Sequence, residues 1–275
     1  MHVLGRRRSA VLPAEVIFSA WRSTDAAVPS ASLAEADAVI HLAGEPVAQR
    51  WTAAARQRIR DSRVNGTRNL VNALSLLSRR PSVLVSASAI GYYGPRGDEI
   101  LDENSPPGSG FLASVSMEWE QAAFAAEALG IRVAVVRIGV VLGHGGALAR
   151  MLLPFRFGLG GRMGSGKQWM SWIHVQDMIG LILFTLANPA LRGPVNATAP
   201  NPVTNSDFTR ELARALHRPA VLFVPGFALE LAMGEMATVV LTGQRVVPRA
   251  AQAAGFPFRY VDLAPALTSL LQGRT

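Results

Sequence analysis

The sequence contains no cysteine, and this absence excludes several kinds of site at once. Disulfide bonds, thiolate nucleophiles and cysteine-ligated metals are ruled out for the 275 residues. Charged residues are also scarce, at 17%, whereas 49% of the residues are hydrophobic, a balance typical of a globular protein. The longest apolar run, Met178 to Ala187, is too short to cross a bilayer, and no signal-like apolar segment follows Arg6, Arg7 and Arg8. We therefore expect a cytoplasmic protein with no membrane partner.

Lysine is nearly absent as well, because Lys167 is the only lysine among 27 basic residues. A formal net charge of +8 suits a nucleic-acid partner, but the excess is spread thinly along the chain. The arginines between residues 56 and 63 lie on a helical stretch, as a solvated helix face does. His, Asp and Glu do not cluster at metal-ligand spacing. We expect a small-molecule substrate, no nucleic acid and no metal, and the oligomeric state stays open.

Apolar runs and helical periodicity alternate along the first half of the chain. The pattern predicts helices at 51–77 and 112–129, strands at 2–4, 15–18, 38–44 and 131–137, and a buried strand that ends in a loop within 83–94. This alternation favours an α/β fold with a doubly wound parallel sheet.

The second half is more irregular. The pattern predicts an aromatic strand at 169–174, helices at 175–187 and 208–216, two further helices after Val221 and a short strand at 256–260. Thr204 and Asp207 are spaced as a capping box in front of one of these helices. We expect the late segments to form a small cap over the ligand edge of the sheet.

The stretch at 83–94 begins as a Val- and Leu-rich strand and continues in small and hydroxyl residues, and ligands of open α/β sheets bind beyond the carboxyl ends of the strands. Side chains at this end are expected to face a ligand: Ser86, Ser88, Tyr92 and Tyr93. The alternative is a core strand whose two serine hydroxyls are satisfied by the backbone.

Two sets of segments carry a resemblance to known families. The first set resembles the extended short-chain dehydrogenase/reductase superfamily: His41–Gly44, Val64–Thr67, Ser86–Ser88 with Tyr92–Gly94, Arg137–Gly139 and Trp172–Asp177. The second set resembles the atypical YfcH-like epimerase family with its C-terminal DUF1731 domain: Gly139–Gly143, Leu153–Gly161, Gly164–Gly166 and Gly243–Pro248. The resemblance implies a Rossmann-like domain at 1–220 and a small α+β cap at 221–275.

The chain departs from that pattern at its first residues. Members of the family open with a strand, a glycine-rich loop and a helix, and the loop holds the cofactor pyrophosphate. Here Val3 and Leu4 resemble the second strand, so roughly thirty residues of the fold are lacking. Our hypothesis is a start codon placed too late. We expect a gap or a re-paired strand where the first strand of the sheet belongs.

The resemblance implies NADP as cofactor, although the glycine-rich loop is absent. Arg6 and Arg7 follow the first strand, where an arginine accommodates the NADP 2′-phosphate in related folds; a frayed basic terminus is the alternative. Asn65 matches a helix asparagine that supports the active-site backbone, or is an ordinary surface residue. The other implied cofactor contacts are Leu42, Ala43, Gly44, Ser86 and Ala87.

The second departure is chemical. The superfamily uses a Tyr-x-x-x-Lys pair to move a proton, and this pair is impossible here because Met163 stands four residues before Lys167. Leu112 and Ser116 occupy the positions where the tyrosine and the lysine of the pair are expected. The remaining catalytic candidates are Ser88, Tyr92, Tyr93 and His174, with packing as the alternative for the tyrosines and a structural strand-to-helix turn for the histidine.

Two functions remain open from the sequence. The first is an NADP-binding oxidoreductase or epimerase-like protein that acts on a nucleotide sugar or a small carbonyl compound. The second is a non-enzymatic module that binds NADP(H) and reports redox state to a partner. The retained Ser88 and Tyr92 favour the first, and the missing pair favours the second.

Overall fold

The computed structural model describes residues 1–24 and 28–272. Its helices are α1 (Ala53–Ser75), α2 (Phe111–Phe124), α3 (Gly146–Arg156), α4 (Val175–Ala187), α5 (Asn205–Leu216), α6 (Gly226–Met233), α7 (Ala237–Leu241), α8 (Arg249–Ala253) and α9 (Leu263–Gln272). Its strands are β1 (His2–Gly5), β2 (Ile17–Ala20), β3 (Ala38–His41), β4 (Val83–Ala89), β5 (Ile100–Leu101), β6 (Arg132–Ile138), β7 (Val140–Leu142), β8 (Gly161–Met163), β9 (Trp169–Met170), β10 (Trp172–His174), β11 (Gly193–Ala197), β12 (Val203–Thr204), β13 (Leu222–Val224) and β14 (Arg245–Val246).

A parallel sheet forms the centre of the molecule, with strand order β11–β6–β4–β3. Leu84 and Val133 pack against α1 and α2 on one face, while Val85 and Val136 pack against α4 on the other. Both faces are therefore buried, which explains the near-continuous apolar runs in the sequence. The predicted α/β class with a parallel central sheet is confirmed.

The first two strands form a parallel ladder of their own, with His2 opposite Ile17. Among the described residues, no hydrogen-bonded neighbour joins this pair to the free edge of β3. Leu4 and Val39 nevertheless pack into one apolar cluster with Trp21 and residues of α1. The sheet is thus interrupted beside β3, as the sequence analysis expects.

The C-terminal segment is attached to the rest of the molecule by short ladders and by helix packing. Strand β13 pairs with β8, β14 pairs with β5, and α9 packs against α5. Trp172 of β10, Leu212 of α5 and Leu267 of α9 are buried together in one apolar cluster. Within the described ranges, no helix is both long enough and apolar enough to span a membrane.

The predicted strand at 256–260 is wrong. The backbone N–H groups of Arg259 and Tyr260 donate to the two carboxylate oxygens of Asp177, at 3.0 and 2.9 Å. These donors are therefore satisfied by a side chain instead of a neighbouring strand. Phe256 packs against Phe184 of α4, with ring centroids 5.4 Å apart, so the aromatic residues of this segment serve the core without a ladder.

Two local predictions are refined. The aromatic strand at 169–174 is divided at Ser171, whose hydroxyl donates to Gln244 O (2.7 Å) and accepts from Val246 N (2.8 Å). The capping box is confirmed, because Thr204 Oγ1 accepts from Asp207 N at 3.1 Å. Hydrogen bonding to Thr204 lowers the pKa of Asp207, and α5 begins at Asn205, three residues earlier than predicted.

Candidate functional site

The residues that the sequence marks as ligand-facing meet at one edge of the sheet. In the parallel register, His41 lies opposite Ser86 and Ser88 lies opposite Arg137. The segments Leu42–Gly44 and Ser86–Ser88 therefore reach the same carboxyl edge, as expected for a ligand site of this fold. Their exposure differs: the first segment is partly open to solvent, and the second is buried.

The open segment is backed by an arginine of α1. A Cβ placed on Gly44 would lie 3.1 Å from Arg63 Cζ, so only glycine fits without moving that side chain. Arg63 Nη1 also donates to Glu45 O at 2.9 Å, and its guanidinium lies 5.2 Å from the Trp119 ring centroid. Burial lowers the pKa of Arg63. This side chain therefore forms the wall behind the end of β3.

Ser88 is the first member of a buried polar network. Its hydroxyl donates to Glu120 Oε1 at 2.6 Å, and Arg137 grips both carboxylate oxygens of Glu120 at 2.8 Å. Burial opposes the charge on Arg137, but the hydrogen bonds and charge of Glu120 outweigh this cost and raise the pKa of Arg137. A carboxylate has only acceptor atoms, so Ser88 is the donor in this hydrogen bond.

Tyr93 completes this network. Its hydroxyl accepts from Arg137 Nη1 at 2.9 Å and donates to Asn196 Oδ1 at 2.7 Å. Burial raises the pKa of Tyr93 to about 12 in spite of the nearby guanidinium. We refer to Ser88, Glu120, Arg137, Tyr93 and Asn196 as the Arg137 network. Every hydroxyl and charge of this set is engaged within the protein.

Tyr92 lies beside the network and differs from its neighbour. Arg137 Cζ lies 3.5 Å from the centroid of the Tyr92 ring. The rings of Tyr92 and Tyr93 contact each other edge-on, with centroids 5.3 Å apart. The Tyr92 ring is half-buried, and no hydrogen bond to its hydroxyl occurs within residues 1–24 and 28–272. Of the two tyrosines, Tyr92 therefore keeps a hydroxyl available for a ligand.

His174 caps a helix. Its Nδ1 accepts from Gln176 N at 3.1 Å at the start of α4, and its Nε2 lies 3.1 Å from Ser269 Oγ. The ring stacks on Tyr260 with centroids 3.9 Å apart, and burial lowers the pKa of His174. These contacts correspond to the structural turn that the sequence analysis keeps as an alternative.

The remaining predicted residues occupy ordinary positions. Arg6 and Arg7 are exposed directly after β1. Asn65 Nδ2 donates to Asp61 Oδ1 at 2.8 Å, one turn earlier in α1. Ser86 Oγ donates to the carbonyl of Ala87 at 3.2 Å, as the core-strand alternative proposes. The assignment of these residues to cofactor binding stays a prediction.

Glu103 connects this edge to the C-terminal segment. Its Oε1 accepts from Asn196 N at 2.9 Å and from Ala250 N at 3.1 Å, while its buried Oε2 has no hydrogen-bond partner among the described residues. Burial raises the pKa of Glu103. The sequence analysis missed Glu103, Glu120, Arg137 and Asn196. An arginine inside an otherwise apolar buried strand was the one signal available.

Comparisons with known proteins identify the family of this chain. Residues 1–197 match the NAD dependent epimerase/dehydratase family, and residues 224–270 match a domain of unknown function, DUF1731. The chain is 47% identical over 238 residues to the epimerase family protein SDR39U1 homolog, chloroplastic, of Arabidopsis thaliana, covering 86% of this chain and 68% of the relative. The implied C-terminal domain is thereby confirmed, and its boundary at 220/221 stays a prediction.

Two solved structures are similar along nearly the whole chain. Human epimerase family protein SDR39U1 (isoform 2) with NADPH has a TM-score of 0.85 and 31% identity, covering 98% of this chain and 90% of the human chain. The nucleoside-diphosphate sugar epimerase from Corynebacterium glutamicum has a TM-score of 0.76 and 34% identity, covering 94% of this chain and 52% of its own.

Proposed function

Because this chain belongs to the NAD-dependent epimerase/dehydratase family, we propose that it is an NADP-binding oxidoreductase or epimerase-like protein acting on a nucleotide sugar or a small carbonyl compound. The observation that carries the proposal is the meeting of Leu42–Gly44 with Ser86–Ser88 at one carboxyl edge. The NADPH in the human relative supports the cofactor, and the Corynebacterium relative supports the sugar substrate.

The described residues fit the adenosine end of such a dinucleotide. Exposed Arg6 and Arg7 suit a 2′-phosphate, and the small residues Ala43 and Gly44 leave room for an adenosine beside β3. No GxGxxG loop occurs within the described residues, so we assign no residue to the pyrophosphate. When bound, the nicotinamide would supply hydride transfer.

The side chains at the edge then have separate tasks. The Ser88 hydroxyl donates a hydrogen bond to Glu120, so the lone pairs of the same oxygen can accept a hydrogen bond from a substrate hydroxyl. Tyr92 offers the hydroxyl that can exchange a proton with the substrate, since that of Tyr93 is engaged and its pKa is raised to about 12. Arg137 positions both groups through Glu120 and through its contact with the Tyr92 ring.

One observation favours the second candidate, a sensor without turnover. Ser88, Tyr93 and His174 all direct their polar atoms to protein partners, and the Tyr-x-x-x-Lys pair is absent. A protein of this kind would bind the cofactor and report its redox state through the C-terminal segment that Glu103 holds.

Deuterium transfer distinguishes these functions. The full chain is incubated with deuterium-labelled NADPH and a panel of nucleotide sugars and small carbonyl compounds, and the products are measured by mass spectrometry. We expect transfer into one compound class, lost in Ser88→Ala and kept in Thr185→Val, which removes an equally buried hydroxyl in α4 that has no assigned role. NADPH binding without transfer would favour the sensor, and absence of NADPH binding would contradict both functions.

A further inference from the structure

A cavity lies away from the residues that are assigned to cofactor binding and catalysis. It has a volume of about 590 Å³ and is formed by α5, the connection from His217 to Leu222, and Arg162 of β8. This volume is in the range of pockets that hold small organic ligands. None of the predicted catalytic or cofactor-binding residues lines it. We refer to it as the basic cleft.

The lining of the basic cleft is strongly cationic. Four arginines and His217 line it, and no carboxylate is among its lining residues in the described ranges; the arginines are Arg162, Arg210, Arg214 and Arg218. The carboxylates of α5 lie beside two of these arginines. Asp207 is 2.6 Å from Arg210, and Glu211 is 2.8 Å from Arg214. Four guanidinium groups thus face two carboxylates, which leaves an excess of two positive charges.

The other two arginines, Arg162 and Arg218, form no ion pair with the described residues. Arg162 Nη1 donates to Ser165 O at 3.0 Å, and its guanidinium lies 5.0 Å from the Phe223 ring centroid. Arg218 is exposed and forms no ion pair with the described residues. A guanidinium presents a planar fork of N–H donors that matches the oxygens of a phosphate group. These two arginines therefore keep free capacity for an oxyanion.

Two hydroxyl groups and an apolar surface complete the cleft. Ser206 and Thr209 line it, and neither hydroxyl forms a hydrogen bond within the described part of the chain. Ala213, Ala220 and Leu222 supply aliphatic surface at the same place. The cleft therefore combines anion-binding groups with a surface suited to an uncharged organic group.

His217 adds an independent observation. It is the only non-glycine residue with positive φ in the described ranges, at φ 52°, and it occupies the left-handed position that ends α5. Glycine or asparagine is the usual residue there, because other side chains are strained in the left-handed region. Strained residues are found preferentially at ligand-binding positions. This one carries an imidazole that lines the basic cleft.

We propose that the basic cleft binds a small organic phosphate ester. Arg162 and Arg218 hold the phosphate oxygens, Ser206 and Thr209 donate to the same group, and the alanine and leucine side chains contact the organic part. The site is separate from the proposed NADP edge, so the two can be occupied together.

The test uses phenyl phosphate as probe, with phenol and inorganic phosphate as its two halves. Binding to the full chain is followed by NMR titration at low and high salt. We expect saturable binding of phenyl phosphate that weakens with salt, and binding of either half at least about tenfold weaker. Arg162→Gln with Arg218→Gln should weaken phenyl phosphate binding by about tenfold or more.

The matched control removes two exposed arginines outside the cleft, Arg80→Gln with Arg192→Gln, and should retain binding within about twofold. Equal losses in both double variants, or phenol binding as tightly as phenyl phosphate, would overturn the proposal. So would binding to phosphatidic acid vesicles without binding to phenyl phosphate. NADPH binding should be unchanged in the cleft variant, so this proposal and the proposed function fail separately.

Discussion

The Arg137 network and the basic cleft both contain arginine, hydroxyl and aromatic groups, but they use them in opposite ways. In the network, Arg137 is 3% exposed, and its N–H donors are directed at Glu120 and Tyr93. In the cleft, Arg218 is exposed and the hydroxyls of Ser206 and Thr209 have no protein partner within the described residues. The comparison separates polar groups that the fold has already engaged from groups that remain available for a ligand.

The largest expected effect is the loss of the network's cation. Arg137→Met leaves the Glu120 carboxylate buried without its counter-charge, so we expect a loss of about 3–5 kcal/mol in the free energy of unfolding. Urea denaturation measures it. Arg60→Met is the control, because Arg60 and Glu118 form a half-exposed pair that contributes about 0–1 kcal/mol. Equal losses of unfolding free energy in the two variants would contradict the distinction between the buried Arg137–Glu120 pair and a half-exposed ion pair.

The next effect is a pH dependence at the same edge. Burial lowers the pKa of His41 to about 4, and its Nε2 lies 3.1 Å from Thr67 Oγ1. The histidine of the unfolded chain takes up a proton near pH 6.5, whereas that of the folded chain does so only near pH 4. The free energy of unfolding is therefore unaffected above about pH 6.5 and falls by about 3 kcal/mol as the pH drops toward 4. His41→Gln should lose this dependence in urea titrations at several pH values. A variant that keeps the same slope would contradict the assignment.

The two adjacent tyrosines allow a smaller comparison within one motif. Tyr93→Phe leaves Asn196 Oδ1 and one donor of Arg137 without a partner, so we expect a loss of about 1–3 kcal/mol. Tyr92→Phe removes a hydroxyl with no protein partner in the described chain and keeps the ring under Arg137, so stability should change by less than about 0.5 kcal/mol. Urea midpoints measure both, and a larger loss in Tyr92→Phe would reverse the roles assigned here.

The smallest effect is expected in the basic cleft. Arg162→Gln with Arg218→Gln removes exposed charges that form no ion pair within the described residues, so the free energy of unfolding should change by no more than about 0.5 kcal/mol. The same urea experiment measures it. A loss approaching that of Arg137→Met would show that these arginines are structural and would weaken the contrast with the network.

Much of the fold follows from local patterns. The alternation of apolar runs and helical periodicity predicts the strands and helices of the first half, and it places Leu42–Gly44 and Ser86–Ser88 at strand ends. The segment 256–260 shows the limit of this approach. Its aromatic residues have the composition of a strand, but Asp177, more than eighty positions earlier, provides the partners for its backbone.

The candidate site shows the same limit more sharply. Ser88 and Tyr93 are recognisable from their position after a buried strand, but their hydrogen-bond partners are not. The distance along the chain from Tyr93 to Asn196 is 103 residues, and from Ser88 to Glu120 it is 32. Only the folded chain decides that Tyr93 is engaged and Tyr92 is not, since the two are neighbours of identical type.

The sequence by itself determined the α/β class and the edge where small and hydroxyl residues gather, because these depend on spacing along one strand or helix; the interruption beside the third strand was expected from the family resemblance. The tertiary structure decided which polar groups form hydrogen bonds or ion pairs within the described part of the protein and which remain available for a ligand. Burial, pKa and hydrogen-bond partner depend on side chains that packing brings together from distant segments, as it does for Arg137 with Glu120 and for Arg162 with Arg218.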